Sequence, residues 1–228
     1  MKKIFIATAV ALSLSAAAQA ADSSAVLKVA GVLTNDACTP SMSGGAVVDF
    51  GTKYVSDLSP TDTNQLGYKD VDLSITCSAP TKVSWRITDD RIDSVVRLTI
   101  TGGTWDDGDE TAWAFSQVFG VGKTAGGVNI GAYAVDINRT GSTADGKAAT
   151  VLYSPAPATD ETWFVMQDTT YASYNQEYTF GTSDTTPVAF TTAVFPLRVA
   201  LAVQKTDTLA ITDNTPIDGQ ATITLRYL

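Results

Sequence analysis

The sequence contains no histidine and only two cysteines among its 228 residues. Without histidine, the serine–histidine–acid and cysteine–histidine arrangements of nucleophilic enzymes are absent, and so are histidine-based zinc sites. The carboxylate clusters Asp89-Asp90, Asp106-Asp107 and Asp109-Glu110 are explained by turns. We therefore expect a protein that is not an enzyme, with no catalytic residues, no metal site and no cofactor.

Two further stretches could be ligand sites or plain solvated loops. The acidic residues of 106–110 carry the oxygen ligands that calcium prefers, but their spacing does not match the EF-hand loop. The glycine-rich residues 119–131 lack the lysine–serine pair and the helix that follow a phosphate-binding loop. Plain loops are the preferred interpretation of both stretches.

Beyond the N-terminus, the chain lacks any apolar run long enough to span a membrane. Residues 1–20 combine Lys2-Lys3, the apolar stretch Ile4–Ala18 and the small-x-small ending Ala18-Gln-Ala20. This pattern predicts a signal peptide over residues 1–20. A membrane anchor is the disfavoured alternative, because the sequence turns polar from Ala21. We expect an exported protein.

Positive charge is also scarce. Removing Lys2 and Lys3 leaves 13 basic residues against 24 acidic ones, a formal net charge of −11. Such a surface argues against nucleic acid and anionic membranes as partners.

Apolar residues that alternate with polar ones dominate the remaining sequence, and no sustained helical period is present. This pattern predicts one all-β domain over residues 37–228, with a β-sandwich favoured. The predicted strands lie at 46–51, 71–77, 82–87, 95–101, 132–137, 149–153, 195–204 and 219–228.

The two cysteines, Cys38 and Cys77, most simply form one disulfide in an exported chain. Cys77 ends an alternating run that places it on the same side as Val71, Leu73 and Ile75. The disulfide is therefore expected inside the sandwich.

Both ends of the predicted mature chain carry strand patterns. The N-terminal extension, residues 21–36, has one alternating set at Leu27, Val29, Gly31 and Leu33, where Gly31 suits close approach of another backbone. The last strand presents Ala221, Ile223, Leu225 and Tyr227 on one side. We expect this strand at a sheet edge, which is hazardous for a secreted protein unless something covers it.

These features together resemble a known family. The segments Gly31-Val-Leu-Thr-Asn-Asp-Ala-Cys38 and Val71-Asp-Leu-Ser-Ile-Thr-Cys77, with the penultimate Tyr227, resemble the pilins of the chaperone–usher pathway. The wider sequence is similar to the longer fimbrial proteins of the DUF1120 type. That likeness lies in Thr88-Asp-Asp-Arg91, Phe119-Gly-Val-Gly-Lys-Thr-Ala-Gly126 and Asn129-Ile-Gly-Ala-Tyr133.

The resemblance implies an incomplete immunoglobulin-like sandwich with a groove beside its last strand. A periplasmic chaperone first fills the groove. At an outer-membrane usher, the N-terminal extension of another subunit replaces the chaperone strand, and the subunits form a fimbria on the cell surface. The residues Leu27, Val29, Gly31 and Leu33 would be the donor strand, and Ala221, Ile223, Leu225 and Tyr227 would border the groove and bind the chaperone.

One departure from the pilin pattern concerns glycine. Pilins often carry a glycine about fourteen residues from the C-terminus, where this chain has Thr215, and Gly219 is the nearest glycine. The N-terminal extension favours a shaft or adaptor subunit. The alternative is a secreted immunoglobulin-like module that binds carbohydrate or acts as an adhesin through Trp105, Trp113 or Trp163, although tryptophans in a sandwich more often lie in the core.

Overall fold

The computed structural model describes residues 37–105, 115–155, 162–167 and 171–228. These residues form twelve strands, one short helix and four 3₁₀ turns. The strands are β1 (Cys38–Met42), β2 (Asn64–Thr81), β3 (Val83–Asp89), β4 (Phe119–Gly120), β5 (Gly131–Ile137), β6 (Thr143–Ala144), β7 (Lys147–Ala148), β8 (Thr150–Pro155), β9 (Phe164–Val165), β10 (Gln176–Gly181), β11 (Phe190–Val203) and β12 (Ala221–Tyr227). The helix α1 spans Thr206–Leu209, and the 3₁₀ turns span Ser43–Ala46, Val55–Asp57, Ile92–Ser94 and Phe115–Gln117. No helix in these described ranges is long and apolar enough to cross a membrane.

Two antiparallel sheets make up the fold. The first sheet has the order β1-β2-β11-β5-β4, with the β6–β7 hairpin paired to β11. The second sheet has the order β12-β3-β10-β8-β9. The predicted all-β sandwich is therefore confirmed.

The main core lies between the two sheets, where the inward residues of each strand alternate with outward ones. Trp85 of β3 meets Phe195 of β11 with ring centroids 5.5 Å apart, and Phe180 of β10 stacks on Phe195 at 4.3 Å. In β2, the predicted alternation holds, because Val71, Leu73, Ile75 and Cys77 are all buried in this core.

The Cys38–Cys77 disulfide forms as predicted. The two cysteines are direct partners in the antiparallel ladder between β1 and β2. The bond therefore fixes β1, the edge strand of the first sheet, to a strand that is buried in the core.

The strand β11 is buried on both faces. Leu197, Val199, Leu201 and Val203 face the second sheet or the groove, while Ala200 and Ala202 face the outside of the first sheet. There they belong to a second cluster of buried residues, with Ala132 and Ala134 of β5 and with Ile100, Val118 and Tyr171 from the connecting segments. Part of the chain between β3 and β5 therefore covers the outer face of this sheet.

The packing of this segment on the outer face of the sheet explains why one strand prediction is wrong. Residues 95–101 form no strand, and Ile100 makes only an isolated bridge. The apolar side chains of Val95, Leu98 and Ile100 pack onto the small alanines of β5 and β11, so burial accounts for their pattern without a ladder.

Candidate functional site

The last strand lies at an edge, as the sequence predicts. Among the described strands, β12 pairs only with β3, from Ala221 opposite Asp89 to Tyr227 opposite Val83. Ala221, Ile223 and Leu225 pack against the main core but remain partly exposed. The second edge of β12 therefore has no ladder partner among the described strands, and its apolar side chains are only half covered.

A second unpaired segment lies opposite. After β1, the residues Gly44, Gly45 and Ala46 all have positive φ, which turns the chain away from β2. Val48 and Phe50 then pack against the core, while Val47, at 72% exposure, and Asp49 point to solvent. This alternation is typical of a strand, and Val47 has strand dihedrals with φ −110° and ψ 122°.

The predicted strand over residues 46–51 is nevertheless wrong. In the described part of the chain, no backbone hydrogen bond joins residues 47–50 to another strand. The physical reason is that a ladder needs a neighbour, and none of the described strands lies beside this segment. Among the described residues it is an extended edge without a ladder partner.

Between these two edges runs an apolar groove of about 920 Å³. Its floor is built mainly by the inward face of β11, at Leu197, Val199, Leu201 and Val203. One lip is residues 217–223, which lead into β12, and the other is residues 46–53. The lining further includes Ile87, Val121, Tyr133, Val135 and Leu209.

The groove has few charged groups in its depth. Tyr133 stacks on Phe119 with ring centroids 5.1 Å apart, and burial raises the pKa of its phenol above the ordinary value. The charged lining residues Asp49, Lys53, Asp213 and Asp218 belong to surface segments of the rim. An apolar floor between two unpaired backbone edges suits an extended polypeptide with alternating apolar side chains.

The groove narrows at the end near the C-terminus. There the Cys38 N–H donates a hydrogen bond of 2.9 Å to the Tyr227 phenol oxygen, and Cα atoms of β1 and β12 come within 8 Å. An inserted strand needs its two neighbours about 9.6 Å apart, twice the strand spacing of about 4.8 Å. The open part of the groove therefore lies toward Ala221 and the preceding residues.

Only two of the four predicted groove residues on β12 line the groove. Ala221 and Ile223 line the groove, and Leu225 packs on the core outside the lining. Tyr227 is 51% exposed and lies at the narrow end. The predicted donor residues Leu27, Val29, Gly31 and Leu33 lie outside the described residues, as does the predicted signal peptide.

Gly219 proves to be part of the lip. It lines the groove, and a Cβ atom at this position would lie 3.0 Å from Tyr133 Cε1. Thr215, at the position where pilins often have glycine, also lines the groove. Sequence reasoning gave Gly219 no role, because its contact with Tyr133 joins residues 86 positions apart.

A polar cluster at the end of β3 was also missed, since Asp89 and Asp90 read as an ordinary turn. Asp89 is 7% exposed, and its carboxylate accepts the N–H groups of Gly120 and Arg91, each at 2.8 Å. Burial raises the pKa of this carboxyl, although both N–H groups act in the opposite direction. Arg91 donates from Nε and Nη2 to Asp218 Oδ2 at 3.0 and 2.9 Å.

The tryptophans considered for sugar binding differ in their surroundings. Trp163 is 5% exposed, so its ring belongs to the interior. The Trp105 ring lies 4.2 Å from the Arg198 guanidinium. Trp113 and the acidic residues 106–110 lie outside the described residues.

Comparison with known proteins gives the family. Residues 27–134 match the model of a family described as "Protein of unknown function (DUF1120)". The chain is similar to the "Uncharacterized protein YhcF" of Escherichia coli (strain K12), with 31% identity covering 99% of this chain and 98% of the relative. It is also similar to the "Protein GltF" of the same strain, with 30% identity covering 100% of this chain and 99% of the relative. This chain belongs to the DUF1120 family.

Proposed function

We propose that this protein is a structural subunit of an extracellular fimbria, which polymerises by adding a strand of one copy or of a related subunit to the groove of the next. The observation that carries the proposal is the apolar groove between residues 47–50 and the outer edge of β12, two backbone edges that have no ladder partner within 37–105, 115–155, 162–167 and 171–228. A free protein gains little from leaving two such edges open, since exposed edges invite aggregation.

The geometry favours a strand as the occupant over a small molecule. A strand lying between the two edges would hydrogen-bond to β12 on one side and to residues 47–50 on the other. Its apolar side chains, two residues apart, would point to the floor formed by alternate residues of β11. The backbone would supply affinity and the floor would supply specificity, as in strand addition generally.

The proposed occupant is the N-terminal extension of another subunit. Within residues 21–36, Leu27, Val29 and Leu33 have the required alternation, and Gly31 permits close approach to the floor. A contact between one end of a copy and the groove of the next is heterologous and does not close on itself. It therefore builds a filament and not a ring.

Export and delivery belong to the same proposal. The signal-peptide pattern of residues 1–20 and the Cys38–Cys77 disulfide both suit an oxidising compartment. A periplasmic chaperone would cover the groove until an outer-membrane usher exchanges its strand for that of a subunit. The protein would then reside in the fimbria at the cell surface and support adhesion without catalysing a reaction.

The test is fibre assembly in cells that express the protein with its chaperone and usher. Deleting residues 21–36 is expected to leave a subunit that binds the chaperone but does not add to a preceding subunit. A finer version replaces Leu27, Val29 and Leu33 by Asp, with Lys28→Asp as the matched control on the opposite side of the same strand. If the deleted chain still adds to fibres, the extension is not the donor strand.

A second experiment distinguishes a fimbrial subunit from the alternative of a free-standing secreted binding module. The mature chain, produced in the periplasm without any chaperone, is expected to aggregate or be degraded because its groove is open, so the chain for the binding, unfolding and exchange measurements below is released from its chaperone complex and refolded at low concentration. A stable, soluble monomer under these conditions would contradict the proposed function.

A further inference from the structure

Three consecutive residues at the end of β3 bind the lip that leads into β12, on the side away from the groove. Asp89, Asp90 and Arg91 do not line the groove, yet each bonds to a segment that leads to it. We infer that these three residues are positioning residues, which hold residues 218–222 of the lip where an added strand must pair with it. The inference rests on the proposed function.

The first of the three fixes the glycine-rich segment at the groove. Asp89 binds the Gly120 N–H, and Val121, the next residue, lines the groove. A Cβ atom on Gly120 would lie 2.3 Å from the Arg91 carbonyl oxygen and 2.3 Å from Ser94 Oγ. Only glycine allows this segment to lie so close to the turn after β3.

The second and third bind the lip itself. The Asp90 N–H donates to the Gln220 carbonyl at 3.0 Å, and its carboxylate accepts the Thr222 hydroxyl at 2.9 Å. The Arg91 guanidinium binds Asp218. The strand entry from Asp218 to Thr222 is therefore held at three points by two neighbouring residues.

The same turn also joins the lip to the glycine-rich segment. The Arg91 carbonyl accepts both the N–H and the hydroxyl of Ser94, and Ser94 Oγ accepts the Gly122 N–H at 2.9 Å. The Asp218 N–H in turn donates to the Val121 carbonyl at 2.9 Å. The chain segments at 89–94, 119–122 and 218–222 thus form one hydrogen-bonded unit at this end of the groove.

The position of the lip matters for an added strand, because its hydrogen bonds require the correct spacing and direction along the whole edge. Residues that fix the edge before binding lower the ordering cost that the incoming strand must overcome. Loosening them should weaken strand uptake more than it weakens the fold, since the main core between the sheets does not contain Asp90 or Arg91.

The experiment measures binding of a fluorescent synthetic peptide of residues 21–36 to the full mature chain, alongside urea unfolding of each variant. Asp89→Asn and Arg91→Ala are expected to weaken peptide binding about tenfold, and Arg91→Lys is expected to restore part of the loss because one donor remains. If Asp89→Asn does not fold, Arg91→Ala carries the test alone.

Asp70→Asn is the matched control. It weakens the ion pair of Asp70 with Arg198 on β11, away from the groove lining, and is expected to change unfolding but not peptide affinity. Equal peptide binding by the unaltered chain and the Asp89 and Arg91 variants would overturn the inference while leaving the proposed function intact. If the unaltered chain binds no peptide, the proposed function fails and the inference fails with it.

Discussion

The backbone N–H of Cys38 donates a hydrogen bond of 2.9 Å to the phenol oxygen of Tyr227, 189 residues further along the chain. This bond joins the first strand of one sheet to the last strand of the other, beside the disulfide to Cys77. It also marks the narrow end of the groove, where β1 and β12 are too close for a third strand to lie between them.

Tyr227→Phe removes this hydrogen bond while keeping the ring. Because the contact is exposed, the free energy of unfolding should fall by only about 0.5 kcal/mol. Tyr54→Phe, on an exposed tyrosine, is the control and should change nothing measurable. Urea unfolding of both variants checks the prediction, and an equal effect at the two positions would contradict it.

The Cys38–Cys77 disulfide should contribute far more to the free energy of unfolding than the hydrogen bond to Tyr227 does. It closes a loop of 39 residues, for which the chain-entropy account gives about 4 kcal/mol. Replacing Cys38 and Cys77 together by Ser should lower the free energy of unfolding by about that amount. Reduction of the disulfide in the unaltered chain should produce a similar loss. A loss below about 1 kcal/mol in both experiments would contradict the prediction that the disulfide stabilises the fold by restricting the unfolded chain.

Ile223 and Thr224 are neighbours on β12 that point to opposite sides. Ile223→Asp places a charge on the apolar lining of the groove, whereas Thr224→Asp places it on the exposed side. The first substitution should abolish addition of a following subunit, because a buried charge without a partner is costly. The second should leave assembly largely intact, and equal assembly by both variants, scored by electron microscopy, would refute this assignment.

Asp145 provides a pH-dependent test of a turn. Its carboxylate accepts the N–H groups of Thr192 and Thr191, and these bonds lower the pKa of the carboxyl from 3.8. A group whose pKa is lower in the folded state stabilises the fold above its unfolded pKa, and this contribution is lost as the pH falls through the folded pKa.

Asp145→Asn should therefore lower the free energy of unfolding at pH 7, and this difference should shrink as the pH falls below 3.8 and through the lowered pKa of the folded chain, because the carboxyl of the unaltered chain is then protonated too. Asparagine also tolerates the positive φ of 49° at this position, so backbone strain does not confuse the comparison. Urea unfolding at several pH values measures the difference, and a gap independent of pH would contradict the role of the charge.

The sequence predicts those strands whose two faces meet different surroundings. Alternation identified β2 with Cys77 facing inward, and β12 as the last strand, because one side of each meets the core and the other meets solvent. It also placed a strand at 46–51, where the side chains do alternate, but it could not show that no strand of the described part of the chain pairs with this segment.

Other features depend on contacts that no local pattern contains. Residues 95–101 are apolar because they cover the outer face of the first sheet, at alanines more than 30 positions away. Likewise Asp89 and Arg91 look like a turn until Gly120 and Asp218 are seen beside them. The sequence therefore predicts that β12 lies at an edge, but it does not predict that Asp89, Asp90 and Arg91 hold the lip that leads into this strand.

The proposed function requires that an extended strand enters the groove and pairs with both of its edges. Hydrogen–deuterium exchange of the mature chain, with and without an excess of the 21–36 peptide, tests this most directly. Amide exchange at residues 47–50 and at residues 221–223, the part of β12 that lines the open groove, is expected to slow together when the peptide is added, and a scrambled peptide should have no effect. Unchanged exchange at both edges in the presence of bound peptide would contradict the claim.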